Sequence, residues 1–103
     1  MRNYQSAQKE IIATLRAHQA ELRRRGVRHA ALFGSIARGE AKRGSDIDIM
    51  VELDPSAPID VFDYVGITQY LSDLFPARVD VANRSSLKSI VRPSAERDAV
   101  YAF

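Results

Sequence analysis

Residues Gly34-Ser35-Ile36-Ala37-Arg38-Gly39-Glu40-Ala41-Lys42-Arg43-Gly44-Ser45-Asp46-Ile47-Asp48 decide the reading of this chain. The stretch begins directly behind the short apolar run Ala30-Ala31-Leu32-Phe33 and closes on two aspartates with one isoleucine between them. Strand side chains alternate in direction, so Asp46 and Asp48 share one face while Ile47 and Ile49 point to the other. The run from Asp46 to Leu53 is the clearest predicted strand: its isoleucines supply core, and its two carboxylates are expected to converge on one point. Like charges side by side are unfavourable unless they are protonated, solvated or bridged by cations. Oxygen ligands of this kind suit Mg²⁺ or Mn²⁺.

An isolated Asp-Ile-Asp is more often a solvated strand face than a site. The segment Arg78-Val79-Asp80-Val81-Ala82 changes that balance, because it reads as another strand with an acid between two valines. If the two strands are neighbours, Asp80 joins Asp46 and Asp48 on the same face. Three clustered carboxylates are what a two-metal phosphoryl-transfer site requires. Upstream, a tight turn at Gly34-Ser35 leaves backbone N–H groups free for an anion, with the Ser35 hydroxyl as a further donor. The Gly-Lys-Ser/Thr ending of a Walker loop is missing, and so is a dinucleotide fingerprint. Arg38, Lys42 and Arg43 lie in the intervening loop, where they either contact a triphosphate or a partner or are simply solvated.

Further out, the spacing of Ile11, Ile12, Leu15, His18, Gln19 and Leu22 predicts a first helix, capped by Ser6 and stopped at Gly26. Arg28–Phe33 reads as a buried strand with His29 at its boundary, and a short helical turn is predicted over Ile36–Arg38. A turn at Asp54–Pro58 leads to a helix over Ile59–Leu74, with Asp60 and Asp63 in its first turns and Phe62, Val65, Ile67, Tyr70 and Leu71 on its core stripe. Asn83 or Ser85 caps a short helix containing Leu87, Ile90 and Val91. Pro93 and Ser94 open a last helical turn or two through Ala99 and Val100. The order helix, strand, strand, helix, strand, helix predicts one domain over residues 1–103, an α/β (α+β) fold with a small mixed sheet packed against helices.

Composition narrows the chemistry. The chain has 103 residues and no cysteine, which removes disulfides, thiolate zinc sites and thiol catalysis. Its two histidines, His18 and His29, are too few for a histidine-rich metal site. No apolar run is long enough to span a bilayer and none follows the start, so no membrane role and a cytoplasmic location are expected. The net charge of +2 is unevenly laid out. Residues 1–45 carry ten basic and three acidic side chains, whereas residues 46–80 carry one basic and eight acidic ones. A basic and an acidic segment flanking one site would suit a polyanion held together with cations. Direct nucleic-acid binding is not expected: the acids would repel a backbone, and no aromatic–basic interleaving marks a groove.

Gly34-Ser35, ten intervening residues, Asp46-Ile47-Asp48 and the later Asp80 resemble the signature of the DNA polymerase β-type nucleotidyltransferase superfamily. The fuller string, with Ala37-Arg38-Gly39 and Ser45, is similar to the minimal MntA-like nucleotidyltransferases encoded beside HEPN-domain ribonucleases. The resemblance implies the polymerase β-type fold and ATP as substrate. By it Gly34 and Ser35 hold the β- and γ-phosphates, with Arg38 and Arg43 as candidate further contacts. Asp46 and Asp48 would touch both of two Mg²⁺ ions, and Asp80 would be the third carboxylate, beside the attacking hydroxyl. It also implies the activity: AMP moved to a tyrosine of a HEPN-type toxin made by the adjacent gene, in the role of antitoxin. A non-catalytic antitoxin that masks its toxin and a small-molecule nucleotidyltransferase are the alternatives. The second would need an acceptor pocket for which a chain of this length has little room.

Overall fold

The computed structural model describes residues 4–40, 44–87 and 92–103. Lys42, Arg43, Ile90 and Val91, each named above, lie outside them. The elements in chain order are α1 (Tyr4–Ala17), α2 (Gln19–Arg24), β1 (Val27–Phe33), α3 (Gly34–Ala37), β2 (Ile47–Leu53), α4 (Val61–Asp73), β3 (Val79–Asn83), a 3₁₀ turn (Arg84–Ser86), α5 (Arg92–Asp98) and β4 (Val100–Tyr101). The sheet runs β3-β2-β1-β4. β1 is antiparallel to β2 and β4, and β2 is parallel to β3. This is the expected mixed sheet, and α4 provides the crossover that a parallel pair needs. Among the described residues no helix is long and apolar enough to cross a membrane.

Alternation along β1 and β2 sorts the sheet into two faces. Ala30, Leu32, Ile47, Ile49 and Val51 are buried with Ile11, Ile12, Leu15, Leu22, Ile67 and Leu71 from α1, α2 and α4, which forms the main core. The opposite face buries Ala31 and Met50 against Ala95 of α5. Asp48 precedes Met50 by two residues and so lies on that second face.

Several local expectations are corrected. The first helix begins at Tyr4, so Ser6 is not its cap, and it breaks at His18, where the polar pair interrupts the apolar stripe. His18 packs against Tyr70, Nδ1 to hydroxyl 2.6 Å, which fixes the break against α4. His29 lies inside β1 rather than at its edge. The short turn after β1 starts at Gly34, two residues earlier than predicted. The helix α4 begins at Val61, so Asp60 is its N-cap rather than part of its first turn: Asp60 accepts from the Asp63 amide at 2.8 Å and Asp63 accepts from the Asp60 amide at 3.1 Å, a capping box. The buried stripe on that helix is narrower than expected: Ile67 and Leu71 are buried as predicted, but Phe62 is 81% exposed and Val65 56% exposed. Asn83 caps only a 3₁₀ turn. Val100 belongs to a two-residue strand, β4, rather than to a helix.

Candidate active site

The register of the parallel ladder places Asp48 directly beside Asp80, with Ile47 beside Val79 and Ile49 beside Val81. The apolar members face the core, so the two aspartates face away from it together. Asp46 stands one residue before β2, held there by the Ile47 amide donating to the Arg78 carbonyl at 2.9 Å. The three predicted carboxylates therefore come to neighbouring positions at the starts of two parallel strands. Burial, and then the charges of Asp80 and Asp46, push the Asp48 carboxyl above its ordinary range, while Arg38 opposes the shift.

The carboxylates are neighbours without meeting at one point. Among the described residues no group of three His, Asp or Glu side chains is tight enough to hold a metal ion as it stands. The expected convergence on a point is thus only partly realised. A guanidinium lies between two of the acids: Arg78 Nε is 3.6 Å from Asp80 Oδ1 and 4.0 Å from Asp46 Oδ2. Sequence reading passed over Arg78, although it sits two residues before Asp80 and so shares its face. The donor chemistry still fits a hard divalent cation, because Asp46 and Asp80 are partly exposed, oxygen-only ligands.

Gly34 closes the other side. It follows β1 with φ +76° and opens α3, and a methyl group there would overlap Asp48 Oδ2 and lie 3.0 Å from its Cγ. Glycine is needed twice over, for the left-handed backbone and for the contact. Ser35 is the next residue of the same turn, its carbonyl accepting from the Glu40 amide at 2.8 Å. Gln8 of α1 donates to the Ala37 carbonyl at 3.0 Å and ties the end of α3 to the body of the domain. Arg38 follows α3, its guanidinium paired with Glu40 at 2.9 Å and with Asp98 of α5 at 3.4 Å. Asp98 lies sixty residues away in sequence, and no local pattern announces it. Two clefts among the described residues, of about 530 and 480 Å³, are lined by none of the three aspartates. With the Asp46 and Asp80 side chains 41% and 49% exposed, the carboxylates form an open shelf at the strand starts.

A four-stranded mixed sheet with a glycine turn beside paired strand aspartates is the arrangement of a phosphoryl-transfer type of domain. Residues 15–102 match the model of the nucleotidyltransferase domain, and the chain belongs to that family. It is 42% identical over 93 residues to the protein adenylyltransferase MntA of Thermococcus cleftensis, covering 89% of this chain and 92% of the relative. Among solved structures, a protein thought to be a minimal nucleotidyltransferase superposes with a TM-score of 0.71 at 26% identity, covering 96% of this chain and 95% of its own. The fold is shared with a complex of tri-AMPylated Shewanella oneidensis HEPN toxin and MNT antitoxin, at TM-score 0.61 and 18% identity over 89% of this chain and 71% of that one. It is shared too with a toxin–antitoxin structure containing AMP-PNP, at TM-score 0.65 and 22% identity over 85% and 72%.

Proposed function

We propose that this chain transfers AMP from ATP to a tyrosine hydroxyl of a HEPN-type toxin encoded by the adjacent gene, and so acts as its antitoxin. The observation that carries the reading is the Asp48–Asp80 pair across the parallel ladder, with Gly34 set against Asp48. The identity to a named protein adenylyltransferase supports the activity. The AMPylated toxin complex and the AMP-PNP complex of the same fold support the partner class and the nucleotide.

In this reading Gly34 and Ser35 cradle the β- and γ-phosphates through their amides and the Ser35 hydroxyl, and Arg38 adds a cation on the same side. Arg43 is assigned to the same role by its place in the loop. Asp46 and Asp48 would hold two Mg²⁺ (or Mn²⁺) ions and Asp80 the one beside the acceptor. When bound, those ions supply charge neutralisation and a more acidic acceptor hydroxyl. The tyrosine oxygen forms a bond to the α-phosphorus as the bond from that phosphorus to the β-bridging oxygen breaks. Pyrophosphate leaves, and Asp80 takes up the tyrosine proton. The open shelf suits an acceptor carried on another macromolecule, which brings its own walls.

Intact-mass spectrometry of the neighbouring gene product after incubation with this protein, Mg²⁺ and ATP tests the assignment. The expected result is a gain of one or more AMP units, absent with Asp46→Ala/Asp48→Ala. A stable complex without any gain would replace it with neutralisation by masking, and transfer to a small molecule instead would refute the protein acceptor.

A further inference from the structure

Arg78 is 76% exposed at its side chain, yet it does not extend into solvent away from the acids. Its backbone is pinned by the Ile47 amide, which places its Cα at the mouth of the two strands. From there its Nε is 4.0 Å from Asp46 Oδ2 and 3.6 Å from Asp80 Oδ1, one acid just before β2 and the other within β3. Those are two of the three groups that the proposed reaction needs on its cations. A guanidinium and a divalent ion cannot both sit between them, because each would face the other's charge at close range in addition to competing for the same lone pairs.

We propose that Arg78 is the counter-cation of the carboxylate shelf and yields its place when a divalent metal binds. The inference rests on the reading of Asp46, Asp48 and Asp80 as metal ligands. Arg78 neutralises part of the charge of Asp46 and Asp80, and its long exposed side chain swings out at small cost when the carboxylates close on a metal. Metal affinity in the absence of nucleotide is thereby kept low. The fully assembled site then forms only when a triphosphate delivers the metal and attracts the displaced guanidinium.

The test is Mn²⁺ binding to the full-length chain without nucleotide, followed by the electron paramagnetic resonance of free Mn²⁺. Arg78→Gln should tighten Mn²⁺ binding by about two- to fivefold, the range of an exposed ion pair, and Arg78→Lys should stay near wild type. Thermal melts give a second readout: the rise in Tm on adding Mn²⁺ should be larger for Arg78→Gln than for wild type. Unchanged or weaker Mn²⁺ binding in Arg78→Gln overturns the proposal. So does a loss of ATP affinity with no change toward Mn²⁺, which would assign Arg78 to the triphosphate alone. The underlying reading fails separately, and takes this proposal with it, if wild-type Mn²⁺ binding survives Asp46→Asn/Asp48→Asn.

Discussion

Replacing Gly34 by alanine separates backbone strain from damage to the site. Gly34 has φ +76°, and a left-handed residue with a side chain costs about 1–2 kcal/mol. Gly39 is a matched control: its φ is +73°, and nothing lies within 4 Å of where its Cβ would be. Both variants should therefore lose about 1–2 kcal/mol, which for a domain of this size is a drop in Tm of about 4–16 °C. Only at Gly34 does the new methyl group overlap Asp48 Oδ2. The overlap is relieved by turning the Asp48 carboxylate or by moving the turn away from it, and a displacement near 1 Å at a reacting centre costs about 100-fold in rate. Differential scanning fluorimetry reads the stability, and AMP transfer to the partner at saturating ATP, well below either Tm, reads the rate. The expected pattern is two similar losses in Tm, with the rate of Gly34→Ala about 100-fold below that of Gly39→Ala. Rates within threefold of each other would refute the claim that the glycine exists to admit Asp48.

Because burial and its two acidic neighbours raise the Asp48 carboxyl, the folded chain holds that proton to higher pH than the unfolded chain does. Stability therefore falls as pH rises from the unfolded pKa through the folded one. In EDTA, Asp48→Asn should melt above wild type at pH 7.5, and the advantage should vanish on acidification below the unfolded pKa; a lower melting temperature at pH 7.5 would contradict the electrostatic account. Asp98→Asn should leave kcat within about threefold and raise the KM for ATP, because Asp98 orients Arg38 and does not reach the carboxylates; steady-state kinetics with varied ATP checks the split. Leu71→Ala, fully buried in α4, should cost about 2–5 kcal/mol, and Phe62→Ser on the same helix less than about 0.5 kcal/mol, as measured by urea denaturation. Equal costs at the two positions would restore the broader core stripe expected from sequence.

The excess breadth of that predicted stripe shows where the sequence stops being informative. Around α4 the apolar residues Val61, Phe62, Val65, Ile67, Tyr70 and Leu71 cover most of the circumference, so periodicity alone does not choose the side that meets the sheet. Ile67 and Leu71 are chosen by contact with the core, which is a tertiary fact. β4 escaped for a different reason: two residues carry no period, and Val100 and Tyr101 become a strand only because the β1 edge at Ala31 and Leu32 is open to them. The carboxylate face, in contrast, was legible, because parity along Asp46-Ile47-Asp48 and Val79-Asp80-Val81 is a local property that survives any packing. Parity also contained Arg78, but a lone arginine before a strand has no chemistry until its neighbour strand is known. Asp98 was illegible altogether, since its meeting with Arg38 depends on α5 folding back across the sheet.

The most direct test of the account follows two labels through one reaction. ATP carrying ³²P at the α-position, and separately at the γ-position, is incubated with this protein, Mg²⁺ and the product of the adjacent gene, the proposed HEPN-type partner. The account predicts that the α-label becomes covalently attached to a tyrosine of the partner, that the γ-label leaves as pyrophosphate, and that Asp48→Asn abolishes both. Transfer of the γ-label to the partner, or α-labelling that persists in Asp48→Asn, would contradict it.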